Sequence, residues 1–278
     1  MQNFSSDLAC ERRRADLDVE GIMMQRERRG DFLWERISVT SDEGAASIGR
    51  PKGRYDTLTL PRMESLDDEE IYDAAEEIAR ELCLLCDTNE IYPGRILVVG
   101  LGNGNLTPDS IGPKTAELVN ATMHVKNCDE RLFNRLECSE IAVLTPGVSA
   151  FSGMDAAEVV TALCQKIRPD VIFAVDSLAA KDAGRLGKTI QISDTGIFPG
   201  SGIGNTRAAL DEQSLGITVI SLGVPTVINA DVFLSDARQD AAKNDGDGLF
   251  VSPKDIDSIA QNSARIIATG INQAFGIL

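Results

Sequence analysis

The chain holds one histidine, His124, among 278 residues, with one tryptophan and an aromatic content of 5%. A lone imidazole cannot build an H-E-x-x-H metal motif, and it weakens any Ser-His-Asp or Cys-His scheme. His124 reads as an ordinary polar or packing residue. Long apolar runs are missing too. No stretch approaches the roughly 18 residues that a membrane helix requires, and Met1 to Arg14 lacks the apolar core of a secretory signal. The sequence therefore leads to the expectation of a cytoplasmic protein without a membrane partner. Positive charge is in short supply: 27 Lys and Arg stand against 43 Asp and Glu, a formal net charge of −16. Phosphate backbones would repel such a chain on balance, which argues against nucleic acid as a direct partner.

Cysteine is present but unpatterned. Six residues (Cys10, Cys83, Cys86, Cys128, Cys138, Cys164) are scattered through the chain, so reduced thiols are the simplest reading. Cys83 and Cys86 have C-x-x-C spacing, yet they sit in an apolar, helix-patterned segment and no second pair follows. Neither a metal nor a cofactor is expected. With 43% hydrophobic and 25% charged residues, the composition is that of a globular protein with one substantial core.

From Glu11 to Arg29 charged residues crowd together without apolar periodicity, the pattern of an exposed leader. Ile37 to Thr40 and Tyr55 to Leu60 alternate as strands do, with Gly49, Pro51 and Gly53 between them, which suggests a small added β hairpin. The body then alternates strand and helix. Helical spacing runs from Asp67 to Cys86, and Arg95 to Gly100 is a continuous apolar run of the buried-strand type. Ser110 to Leu118 and Asp155 to Ile167 read as helices, Ile141 to Leu144 and Val171 to Val175 as strands. Thr189 to Ile192 and Ile217 to Leu222 add strands, and Pro253 to Phe275 closes the chain as a long helix. This order predicts an α/β fold, a mostly parallel central sheet flanked by helices on both faces.

In such sheets the working groups collect at the carboxyl ends of strands. The glycines at 100, 102 and 104 do not complete a dinucleotide-binding G-x-G-x-x-G. After them comes Thr107-Pro108-Asp109, where Asp109 can be a helix cap or a functional carboxylate. Asp176 follows the apolar run Phe173 to Val175 and has the same two readings. Two acids leaving two core strands at the same edge of one sheet are what an aspartic-type mechanism needs. Like-charge repulsion raises one pKa, so one group accepts a proton from water while the other donates. Asp194, in Ser193-Asp194-Thr195-Gly196, carries the D-T-G triplet of all-β aspartic proteases, but in an α/β pattern a turn role is preferred.

Taken together, several segments resemble the germination protease family. They are Ala15 to Glu20, Gly53-Arg54-Tyr55, Val99 to Asn103 with Leu106 to Lys114, Pro146-Gly147-Val148, Arg168 to Ala180, Thr189 to Gly196 with Pro199 to Asn205, Leu222 to Thr226, and Val251 to Asp257. The resemblance implies an atypical aspartic peptidase with Asp109 and Asp176 as its catalytic carboxylates, and a fold similar to that of hydrogenase-maturation proteases. It implies an endopeptidase acting on small acid-soluble DNA-protecting spore proteins in the forespore or spore core, and assembly as a homotetramer. It also implies a zymogen that cuts itself after an acid followed by a hydrophobic residue, a small pair and Glu. Here the corresponding bond is Asp16-Leu17, giving a leader over 1–16 and a single peptidase domain over 17–278. Two features depart from the family pattern: the chain is short between Thr226 and Val251, and Asp18 replaces a small neutral residue. A carboxylate-bound metal peptidase and a non-catalytic binding protein on the same scaffold are the alternatives.

Overall fold

The computed structural model describes residues 6–12, 19–198, 208–230 and 249–277. The Asp16-Leu17 bond lies outside them. The strands are β1 (Ile22–Arg29), β2 (Phe32–Val39), β3 (Gly53–Thr59), β4 (Arg95–Gly100), β5 (Glu140–Leu144), β6 (Val171–Ala180), β7 (Thr189–Ser193), β8 (Val219–Asn229) and β9 (Phe250–Val251). The long helices are α3 (Asp68–Thr88), α4 (Ile111–Leu118), α8 (Ala156–Ile167) and α10 (Ile256–Phe275). Shorter ones are α1 (Ala9–Arg12), α2 (Asp42–Ile48), α5 (Met123–Cys128), α6 (Glu130–Leu136), α7 (Ser149–Ser152) and α9 (Glu212–Leu215).

All the strands join one sheet in the order β1-β2-β3-β7-β8-β6-β4-β5, with β9 paired to β8. The core β8-β6-β4-β5 is parallel, as the strand and helix alternation predicts. The flank β8-β7-β3-β2-β1 is antiparallel throughout. Alternate residues of each core strand serve opposite faces. Ile96, Val98, Val171, Phe173, Val175, Ile220 and Leu222 pack with α3, α4 and α10. Leu97, Val99, Ile172, Ala174 and Val219 pack with Ala157, Val160 and Cys164 of α8. Helix starts are set by side chains: Asp67 and Asp155 each accept from the first turn in capping boxes with Glu70 and Glu158.

Three expectations need correction. The hairpin partners at Ile37 and Tyr55 do pair, but α2 separates them instead of a tight turn. The expected exposed stretch Glu11 to Arg29 includes a regular strand, β1, whose charged residues hid it because an edge strand needs only one partner. Residues 6–12 of the expected leader are not loose either: Leu8 and Ala9 are fully buried against the sheet.

Under α3 the antiparallel flank is lined with charge. Trp34 Nε1 donates to Glu77 at 2.9 Å, Arg36 pairs with Glu81, and Arg54 reaches both Asp56 (2.8 Å) and Glu81 (3.1 Å). Burial, reinforced by the neighbouring Glu81 charge, pushes the Asp56 carboxyl up to about 7 despite the arginines. Unfolded, the same group titrates near about 4. Between those values the folded chain holds a proton that the unfolded chain releases, so stability falls as pH rises from about 4 to about 7. Asp56→Asn should flatten that slope in denaturant unfolding curves collected across this range.

α4 lies unusually close to the sheet at Gly112. A methyl group there would come within 2.1 Å of Leu101 O and 2.5 Å of Val175 O. Gly112→Ala should therefore cost about 3 kcal/mol, as overpacking of a rigid core does, visible as a lowered melting temperature.

Candidate active site

β4 stops at Gly100, opposite Val175, while β6 beside it continues for five more residues. Asp176 is therefore the first β6 residue past the end of β4. It pairs with Gly223 of β8 and is 6% exposed. The apolar run alone places the strand end at Val175; ladder pairing with β8 carries it on to Ala180. Asp176 Oδ1 accepts from the Ser177 amide at 2.8 Å.

The chain leaving β4 stays bound to β6 through Leu101 N to Val175 O (2.8 Å), then folds back on itself. Gly102 has φ +106° and a Cβ there would lie 2.2 Å from Asp109 O, so only glycine lets the loop close around Asp109. Asn103 N donates to Asp109 Oδ2 at 2.9 Å, and Thr226 Oγ1 of β8 donates to Pro108 O at 2.6 Å, clamping the Thr107–Asp109 turn to the sheet. Asp109 thus ends a single 3-10 turn just ahead of α4, which Ser110 caps.

Asp109 and Asp176 line the same cavity, about 350 Å³ in volume, at the carboxyl edge of β4, β6 and β8. Asp7, Arg50, Gln191 and Ser177 also line it. No local motif marks these four. The one available signal is that Asp7 opens an Asp-Leu-x-x-Glu stretch that Asp16 repeats nine positions on.

Asp194 does not line the cavity. Its carboxylate accepts from Arg54 N (2.7 Å) and Asn89 Nδ2 (3.3 Å), tying the end of β7 to β3 and α3. The thiols of the C-x-x-C pair lie on α3, where burial pushes Cys86 up to about 12 and raises Cys83 as well, so neither is activated as a thiolate. Among the described residues no group of three or more His, Cys, Asp or Glu is arranged to hold a metal ion.

Two carboxylates in one cavity at the carboxyl edge of an α/β sheet are an arrangement that acid–base hydrolysis can use. Residues 2–246 match the family model described as germination protease, and the chain belongs to that family. The germination protease of Clostridium perfringens is 33% identical over 313 residues, covering 99% of this chain and 95% of the relative. That of Clostridium acetobutylicum is 32% identical over 319 residues, with the same coverages. Among solved structures, the [NiFe] hydrogenase maturation protease HycI of Thermococcus kodakarensis is 19% identical with a TM-score of 0.36, covering 65% of this chain and 94% of that one.

Asp194→Ala removes two acceptor bonds and leaves the Arg54 amide and Asn89 to find water. It should lower stability by about 1 to 2 kcal/mol with kcat on a peptide substrate unchanged; a large fall in kcat at constant stability would instead give Asp194 a chemical role.

Proposed function

We propose that the protein is an endopeptidase that begins the breakdown of the small acid-soluble DNA-protecting proteins of spores at germination, with Asp109 and Asp176 as its catalytic pair. The observation that supports this is that both line one cavity, although one lies in the turn that follows β4 and the other on β6, far apart in the sequence. One carboxylate takes a proton from water as the water oxygen attacks the peptide carbonyl. The other donates its proton to the carbonyl oxygen or to the leaving amine.

In this reading the chain is made as a zymogen with a leader over 1–16 and a peptidase domain over 17–278. The bond it cuts in itself is Asp16-Leu17, and the mature enzyme works as a homotetramer in the spore core. The backbone amides of Asn103 and Ser177 hold the two carboxylates in place.

Asp109→Asn and Asp176→Asn should each slow both leader removal and cleavage of an added spore protein by at least about 10³-fold, within the range expected for acid and base groups. Intact-mass spectrometry over time reads the first and gel analysis the second, with thermal melting as the check on folding. Chelator treatment should leave the rate of the parent protein unchanged. A variant that trims itself at the parent rate would remove that residue from the mechanism, and loss of activity on chelation would favour the metal-dependent alternative.

A further inference from the structure

Residues 6–11 of the chain run along the end of β6 beside the cavity, with Asp7 forming part of its wall. They are bound main chain to main chain and side chain to side chain. Asp7 N donates to Ala179 O (2.9 Å) on the part of β6 that β4 leaves uncovered, and the Ala179 amide returns a bond to Asp7 Oδ2 (3.0 Å). Gln191 of β7 reads the backbone on both sides of Leu8. Its Oε1 accepts from Ala9 N (2.8 Å) and its Nε2 donates to Asp7 O (3.2 Å).

Side chains are read as well. Arg50 Nη2 donates to Asp7 Oδ1 (3.2 Å) and to Ser6 O (3.0 Å), and its guanidinium is largely buried, with an Nε that makes no hydrogen bond. Leu8 is fully buried among Leu178, Ala180 and Ile172. Glu11 sets its two carboxylate oxygens on the successive amides of Lys181 (2.7 Å) and Asp182 (3.1 Å), where the chain leaves β6.

A buried arginine facing a carboxylate, an enclosed aliphatic pocket, and two amides converging on a second carboxylate make a recognition site for an ordered pattern. That pattern is acid, leucine-sized residue, two residues, acid. The same spacing recurs at Asp16-Leu17-Asp18-Val19-Glu20, of which 16–18 lie outside the described residues. We infer that Arg50, Gln191 and the Lys181 and Asp182 amides are the residues with which the enzyme reads such a stretch, a pattern that the family resemblance already implies at Asp16 to Glu20, and that residues 6–11 occupy this site as an internal ligand. The inference rests on the peptidase reading above for its meaning, but the binding it describes needs no chemistry.

The contacts also explain selectivity. An Asn in place of the leading acid would keep the shape but forfeit the charge-assisted bond to Arg50. A Gln in place of the trailing acid would offer the two amides a single acceptor oxygen.

The test uses the full chain carrying Asp7→Asn and Glu11→Gln, which loosens the internal ligand while leaving the recognising residues intact. A fluorescein-labelled peptide, Ser-Asp-Leu-Ala-Ser-Glu, and its counterpart with Asn for Asp are titrated by fluorescence anisotropy. The acidic peptide should bind at least tenfold more tightly, and adding Arg50→Gln should bring the two peptides to within about twofold of each other, with Arg50→Lys restoring part of the difference. Gln191→Leu, which removes only main-chain bonds, should weaken both peptides by the same factor and serves if Arg50→Gln melts early. Equal binding of the two peptides, a preference that survives Arg50→Gln, or no binding of either overturns the inference. Repeating the titration with Asp176→Asn separates the two proposals: selective binding with no cleavage keeps both, whereas selective binding with undiminished cleavage removes only the catalytic one.

Discussion

The site depends on a mismatch of strand length. β6 runs ten residues and β4 six, so among the described residues the last part of β6 has β8 on one side and no partner strand on the other. Equal lengths would bury Asp176 between two ladders and leave Ala179 with no backbone groups to offer a peptide. The mismatch survives because the loop after β4 turns away at Gly102 and is held down by Thr226, so the vacated edge is not refilled by its own neighbour. Catalytic candidates and peptide anchor are therefore products of one geometric fact about the sheet.

The antiparallel flank is built on a different principle. Where the parallel core packs hydrocarbon on both faces, the flank meets α3 through Glu77, Glu81, Asp56, Arg36 and Arg54. Buried ion pairs add little net stability, because desolvation offsets most of the attraction. They are demanding about geometry, though: Glu77 and Glu81 of α3 take donors from β2 and β3, while Asp56 pairs with Arg54 on its own strand. The layer fixes which face of β2 and β3 meets α3, and β3 in turn fixes β7, from which Gln191 reaches the cavity.

Much of this was readable from residue order, and the failures have physical causes. Arg95 to Gly100 reads correctly because a strand covered on both faces is a continuous apolar run. The helices at Asp68 and Ala156 begin where capping acids announce them. Asp176 stands out because it interrupts an apolar run, and Asp109 because it follows Thr107-Pro108 where a helix is about to begin. The length of β6 does not read, since Asp176 and Ser177 look like a terminus and only pairing with β8 shows otherwise. β1 is hidden for a similar reason: Met23 to Arg29 has no apolar alternation, because one of its edges and most of its side chains face water. Arg50 and Gln191 carry no local signal, and Asp7 only the repeat at Asp16. Their partnership spans more than 180 residues of chain between Asp7 and Gln191, and nothing short of the fold brings them together.

β1 has one more consequence. Among the described residues it pairs only with β2, so it forms an outer margin of the sheet, with unsatisfied amides and carbonyls available to any passing strand. The sequence there is Gln25-Arg26-Glu27-Arg28-Arg29, with Arg29 and Arg36 both engaging Glu27. A foreign strand would have to strip water from these ions to dock, and an edge protected in this way resists the cross-chain zippering that leads to fibrils. A charged border on the sheet is thus a safeguard against clumping.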